Sequence, residues 1–392
     1  MEFRDLKKQY EILKDQINAG ITDVINSSHF ISGPQVKELE HALAEYVGVK
    51  HCLTCANGTD ALTLALKAWG VGRGDAVFVP DFTFFSSAEV VSLEGATPVF
   101  VDVNPETFNI DAVSLESAVK AVIDEGRLRP RVLVAVDLFG LPADFAKVRA
   151  VADKYGLLVL EDGAQGFGGS INGRKACSFG DIATTSFFPA KPLGCYGDGG
   201  AVFTNNDEWA ALIASYRVHG KGSDKYDNVR IGLNSRLDTL QAAILLVKLD
   251  AFDDEVEKVN EVARMYNERL NVCGRNAAPP VVPDGFRSSW AQYTIRLHSK
   301  EERDGVQQAL RDAGIPSMVY YPKPMHSQTA FSGVVHVGEN DSNMSAGRWA
   351  LQYQNFNANT LCDTVLSLPM HPYLSENEID AVCSSMGHRA LP

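Results

Sequence analysis

The stretch Thr185-Ser-Phe-Phe-Pro-Ala-Lys-Pro-Leu-Gly-Cys-Tyr-Gly-Asp-Gly-Gly200 decides how this chain is read. Segments of strand character flank it, at 181–187 and 200–205. Inside it, Lys191 is framed by hydroxyls, aromatics and a run of glycines. Most lysines are solvated surface charges. An amine in this frame is badly placed for that, and well placed to form a Schiff base with a carbonyl compound.

A second segment gives the lysine a partner: Leu157-Leu-Val-Leu-Glu-Asp-Gly-Ala-Gln-Gly-Phe-Gly-Gly169. Four consecutive apolar residues read as a buried strand of a parallel sheet. It ends in Glu161-Asp162 and a glycine-rich turn, and open α/β sheets bind ligands beyond the carboxyl ends of their strands. An aspartate there can keep a pyridinium nitrogen protonated, which makes pyridoxal phosphate an electron sink. Alone, Asp162 is equally readable as the cap of the next turn. The lysine that follows 29 residues later removes much of that ambiguity.

Two further segments fit the same site. In Cys55-Ala-Asn-Gly-Thr-Asp-Ala-Leu-Thr-Leu-Ala-Leu-Lys67, a turn at Asn57-Gly58 precedes a helix that Thr59 or Asp60 is expected to cap. A helix N-terminus with free N–H groups attracts anions, and phosphate is the natural occupant; an ordinary capped helix is the plain alternative. In Ala76-Val-Phe-Val-Pro-Asp-Phe-Thr-Phe-Phe-Ser-Ser-Ala88, Phe84 is the candidate to stack on a flat ring. At least two of Phe82, Phe84 and Phe85 are expected simply to fill the core.

These segments, in this order, resemble the DegT/DnrJ/EryC1/StrS sugar aminotransferases. The likeness runs from Phe3-Arg-Asp-Leu6 to Leu368-Pro-Met-His371 and includes Gly232-Leu-Asn-Ser-Arg-Leu-Asp-Thr-Leu-Gln-Ala-Ala243. It implies a fold-type I, aspartate-aminotransferase-like α/β chain using pyridoxal 5'-phosphate. The large α/β/α domain would span residues 1–250, with an N-terminal helical arm and a seven-stranded, mostly parallel sheet. A smaller α+β domain would span 251–392.

By position, the resemblance makes Lys191 the Schiff-base lysine and Asp162 the partner of the ring nitrogen. It puts Gln165 near the ring's 3-hydroxyl and Gly58, Thr59 and Ser186 at the phosphate. Asn234 would reach the phosphate from a neighbouring subunit, so a homodimer with shared sites is implied. Arg236, two residues on in an extended stretch, would point the same way and grip a sugar carboxylate. Tyr320, Tyr321 and His326 are the remaining candidates for substrate contact.

Within the family, the likeness is nearest to enzymes that aminate C3 of UDP-2-acetamido-2-deoxy-3-oxo-glucuronate for bacterial surface polysaccharides. L-Glutamate would be the donor. Amination of a dTDP-linked 3-oxo-6-deoxyhexose, or of a 4-oxo sugar, is the alternative. Departures are Gly163 where relatives carry Ala, Tyr320-Tyr321-Pro322 where His-Tyr-Pro is expected, and a longer segment at 337–360. A dehydratase of the family would carry His at the lysine position. A cofactor-binding regulator would not need Lys191, Asp162 and Gln165 together.

The rest of the chain agrees. Its 392 residues suffice for two domains with cores. A net charge of −13 argues against nucleic acid as a partner. The seven cysteines are scattered, and the lone Cys52-Leu-Thr-Cys55 has no second ligand pair, so no metal is expected. The N-terminus lacks an apolar signal core, and no stretch reaches the ~20 apolar residues of a membrane span, so a cytoplasmic enzyme is expected. Strands are expected at 52–55, 76–79, 97–101, 132–136, 157–160, 182–186 and 201–204. Residues 237–262 read as one long helix, 292–297 as a strand, 301–313 as a helix and 332–362 as an excursion. His219 and His371 read as structural.

Overall fold

Continuous apolar runs form the centre of the molecule. The computed structural model describes residues 1–224, 226–272, 277–332 and 356–386. The expected strands form as β1 (His51–Cys55), β2 (Asp75–Pro80), β3 (Thr97–Val101), β4 (Arg129–Val136), β5 (Leu158–Asp162), β6 (Ile182–Ser186) and β7 (Gly200–Thr204). They make one sheet in the order β1-β7-β6-β5-β4-β2-β3. Only β7 runs against the others. Every residue of β2 is buried because both faces of the sheet are covered. Val77 and Val79 pack under the helix Gly58–Ala68, while Phe78 between them packs with Val119 and Val148 on the other face.

The strand β5 shows what this alternation achieves at the site. Asp162 closes the strand and faces a cavity. Glu161, beside it, turns the other way and accepts the N–H groups of Cys177 (2.5 Å), Phe179 (2.6 Å) and Gly180 (2.9 Å). The two acids quoted as one motif thus do different work: Glu161 ties down the loop before β6.

The segment 237–262 is not one helix. It divides into Thr239–Asp250 and Phe252–Val272, with Ala251 between them. The apolar stripe continues across the break, which is why the sequence reads as continuous. The second helix announces its start with Asp253, Asp254 and Glu255 in its first turn, where the helix dipole favours acids. Its first residues, Phe252 and Val256, pack against Phe167 and Phe187. Val259 through Leu270 pack instead on a second, two-stranded sheet of β8 (Tyr293–Arg296) and β9 (Val365–Leu368). The N-terminal helix Leu6–Ser27 lays Leu13 and Ile17 against Ile244. The expected excursion at 332–362 falls largely outside the described residues; its end, Phe356–Thr364, is helical. Among the described residues, no helix is long and apolar enough to cross a membrane.

The glycine at 163 has a structural reason. A Cβ there would lie 2.5 Å from Sγ of Cys177 and 3.2 Å from the carbonyl oxygen of Thr184. Cys177 itself holds a positive φ of 69°, a conformation that favours glycine. Gly163 and Cys177 are therefore a matched pair. Gly163→Ala should destabilise the fold by about 1–3 kcal/mol, as overpacking does. Adding Cys177→Gly should recover most of the loss, and thermal unfolding of the single and double variants measures both effects.

Candidate active site

The carboxyl ends of the strands converge on one cavity of about 460 Å³. β1 leads through Asn57 into the helix Gly58–Ala68, and Asn57, rather than Thr59 or Asp60, is its cap: Asn57 Oδ1 accepts the N–H of Asp60 at 2.8 Å. Thr59 is free for another task, and its hydroxyl lies 3.0 Å from that of Ser86. Helix geometry leaves the N–H groups of Gly58 and Thr59 without partners within the helix. Gly58 is required here, since a Cβ would sit 2.7 Å from Cβ of Ser186. Backbone donors at a helix N-terminus are thus pressed against the hydroxyls of Thr59, Ser86 and Ser186. That donor set suits a phosphate.

Asp162 and Lys191 line the same cavity. Asp162 Oδ2 accepts the hydroxyl of Ser87 at 2.7 Å, and Oδ1 accepts the N–H of Ala164 at 3.2 Å. Burial pushes its carboxyl up from the usual range, while Ser87 and Lys191 oppose that shift. Burial pulls the Lys191 amine down to about 8; Asp162 opposes the change and Arg4 adds to it. Gln165 is fixed at both ends of its amide: Oε1 accepts the N–H of Phe139 at 2.8 Å, and Nε2 donates to the Tyr321 hydroxyl at 3.1 Å. Phe84 lines the cavity with half its surface exposed, at 51%. Phe82 is buried and Phe85 packs on the core, as expected of two of the three aromatics.

Nine of the sequence candidates therefore share one wall: Gly58, Thr59, Phe84, Asp162, Gln165, Ser186, Lys191, Tyr320 and Tyr321. Three do not. Asn234 is exposed, and Arg236 donates to its side-chain oxygen at 2.6 Å. The expectation that these two side chains point the same way is met. Arg236 lines a separate surface concavity with Lys221 and Arg230, and His219 belongs to that concavity too. His326, the third candidate for substrate contact, is not among the residues lining the cavity. Its ring meets the fully buried Asp81 at 2.5 Å, and its N–H donates to the same carboxylate. An uncompensated buried carboxylate is costly, and His326 answers that need. Ser86, Ser87 and Gln292 line the cavity without having been singled out. The serines stood in the quoted segment after β2, at a helix start; Gln292 comes from far along the chain and carried no signal.

The chain matches the sequence profile of the DegT/DnrJ/EryC1/StrS aminotransferase family over residues 11–387. It belongs to that family. Its relatives include the UDP-2-acetamido-2-deoxy-3-oxo-D-glucuronate aminotransferase of Pseudomonas aeruginosa, 44% identical over 98% of this chain and 99% of the relative. A UDP-N-acetyl-3-dehydro-alpha-D-glucosamine 3-aminotransferase of Acidithiobacillus ferrooxidans is 39% identical, over 97% and 95%. The crystal structure of a family aminotransferase from Brucella abortus shares 47% identity at a TM-score of 0.90, covering 98% of each chain. A Streptococcus pneumoniae relative of the same fold, at 25% identity and a TM-score of 0.83, is solved in its pyridoxal phosphate form. The protein is a pyridoxal-phosphate-dependent aminotransferase with the fold-type I architecture.

The amine at about 8 has a measurable consequence. A lysine reacts only when neutral, so competitive acetylation of Lys191 should rise through about pH 8, while solvent lysines rise near their ordinary 10.5. Asp162 holds the ammonium form up. Asp162→Asn should therefore move the midpoint of Lys191 labelling downward, read by peptide mass spectrometry across pH.

Proposed function

We propose that this protein moves an amino group from L-glutamate to C3 of a UDP-linked 3-oxo sugar, with UDP-2-acetamido-2-deoxy-3-oxo-glucuronate as the substrate. The observation that carries the chemistry is the pairing of an amine drawn down to about 8 with a buried carboxylate in one cavity. The cofactor would be held at its phosphate by Gly58, Thr59 and Ser186, at its ring nitrogen by Asp162, and over its face by Phe84. Gln165 would stand by the ring hydroxyl. When bound, pyridoxal phosphate supplies a store for the amino group and a sink for the electron pair of the C–H bond that breaks. Lys191, its amine drawn down to about 8, takes the proton from Cα of the donor in its neutral form and returns one to C3 of the sugar. Asp162 keeps a proton on the ring nitrogen by its negative charge.

Charge supports a second part of the reading. Among the described residues, Lys191 is the only cation lining the cavity, yet glutamate and a nucleotide-linked uronate bring carboxylates and phosphates. Lys221, Arg230 and Arg236 gather outside it. We infer that two copies pair as a homodimer, so that Asn234 of one reaches the other's phosphate and Arg236 its sugar carboxylate. A guanidinium fork matches a carboxylate with two parallel hydrogen bonds. The 44% identity to the uronate enzyme favours this substrate over neutral sugars.

Borohydride reduction of the cofactor-loaded protein, followed by peptide mapping, should label Lys191; a label on another lysine would remove it from the chemistry. Asp162→Asn should still bind cofactor and lower kcat on the order of a hundredfold, or ~2.8 kcal/mol. Arg236→Lys keeps charge and loses the fork. It should raise KM for the uronate about tenfold, leaving KM for glutamate within about twofold. Equal amination of neutral and uronate 3-oxo sugars, indifferent to Arg236→Ala, refutes the substrate reading.

A further inference from the structure

The backbone that carries Lys191 is held from behind by the N-terminal arm. Arg4 Nη2 donates to the carbonyl oxygen of Lys191 at 2.9 Å and to that of Pro192 at 3.1 Å. Lys248 Nζ donates to the carbonyl of Gly194 at 2.7 Å, so the loop after Lys191 is gripped by two cations. The arm has its own anchors. The carbonyl of Phe3 accepts the N–H of Met370 at 3.0 Å, and its ring meets Tyr320 edge-on at 6.2 Å. Gln9 donates to both oxygens of Glu255, at 2.8 and 3.1 Å, and the Tyr373 hydroxyl donates to the same carboxylate. A guanidinium is planar and always charged, so its Nη2, bonded to successive carbonyls, fixes the peptide as well as placing a charge.

We propose that Arg4 is a positioning residue for Lys191: it fixes the main chain bearing the amine and keeps a positive charge beside it. This rests on the reading of Lys191 as the amine that does the chemistry. Asp162 and Arg4 act on the charge of Lys191, and Asp198 lines the same cavity. Glu255, Tyr373, Lys248 and His371 face Arg4. Like charges repel, so Arg4 favours the neutral amine, in opposition to Asp162. Because the arm is pinned at Met370 and touches Tyr320 on the cavity wall, it also ties the second sheet's neighbourhood to the lysine loop.

Two variants separate the charge from the grip on the main chain. Arg4→Met keeps the apolar stem and removes both; Arg4→Lys keeps the charge on a shorter side chain that loses the reach to both carbonyls. In cofactor-free protein, Arg4→Met should lower Lys191 acetylation at neutral pH by about threefold, because the amine is more often protonated. Arg4→Lys should leave that labelling unchanged. In the holoenzyme both variants should lower kcat by about tenfold with KM for glutamate within about twofold, the pattern of a misplaced catalytic group rather than lost binding. Unchanged labelling together with unchanged kcat in Arg4→Met overturns the proposal. So does a kcat loss with no change in labelling that tracks a fall in melting temperature, which marks a purely structural arm. Lys191→Ala is the control. If it retains turnover, the reading of Lys191 fails; if it is inactive while Arg4→Met is silent, only the role of Arg4 fails.

Discussion

A lysine and an aspartate share one cavity, and each is there against its own solvation. Burial alone drives the amine toward neutrality and the carboxylate toward protonation. Here burial dominates the amine, which comes down to about 8 even with Asp162 opposing the change. The carboxylate is defended by the Ser87 hydroxyl and the Ala164 N–H. The outcome is an asymmetric pair: an amine ready to take a proton beside an acid whose hydrogen bonds favour its charge. That asymmetry depends on where β5 and β6 end, because adjacent parallel strands deliver Asp162 and the Lys191 loop to the same edge. The features that hold those strand ends therefore serve the site. Glu161 anchors the loop at 177–180, Gly58 lets Ser186 approach the helix, and Gly163 leaves room for Cys177.

Behind Asp162 lies a second carboxylate that never reaches the cavity. Asp137 is fully buried, and burial together with the nearby charge of Glu161 pushes its carboxyl far above the usual range. Glu161 is pushed up less, to about 6, because three backbone N–H groups favour its charged form. At each of these buried acids the hydrogen-bond donors favour the charged form and burial opposes it.

Local signals in the sequence carried most of this architecture. All seven strands were visible because sheets covered on both faces demand unbroken apolar runs. Gly58, Asp162 and Lys191 were visible because each follows such a run at its carboxyl end. What stayed hidden was settled by distant partners or by close local competition. The break at Ala251 lies inside an unbroken apolar stripe. Asn57 won the cap from its neighbours by a matter of side-chain reach. His326 could not be read as the partner of Asp81, which lies 245 residues away. The reason for Gly163 could not be read locally either, because Cys177 Sγ fills the space that a methyl group would take.

Among the described residues, Lys191 is the one cation lining the cavity, while Lys221, Arg230 and Arg236 gather outside it. Coulombic repulsion grows steeply at short range in a low-dielectric cavity. An arginine placed on the wall to grip a carboxylate would pair with Asp162 and drive the Lys191 amine lower still, dulling it as a base. Arg4 avoids the first problem by reaching the loop through main-chain carbonyls and by facing Glu255 and Tyr373. In the proposed pairing, Arg236 would meet the sugar carboxylate from another chain, away from the wall that carries Asp162 and Lys191. In the proposed pairing, cations held on a different surface from the amine would let one site bind anions without a further cation on the wall beside Lys191.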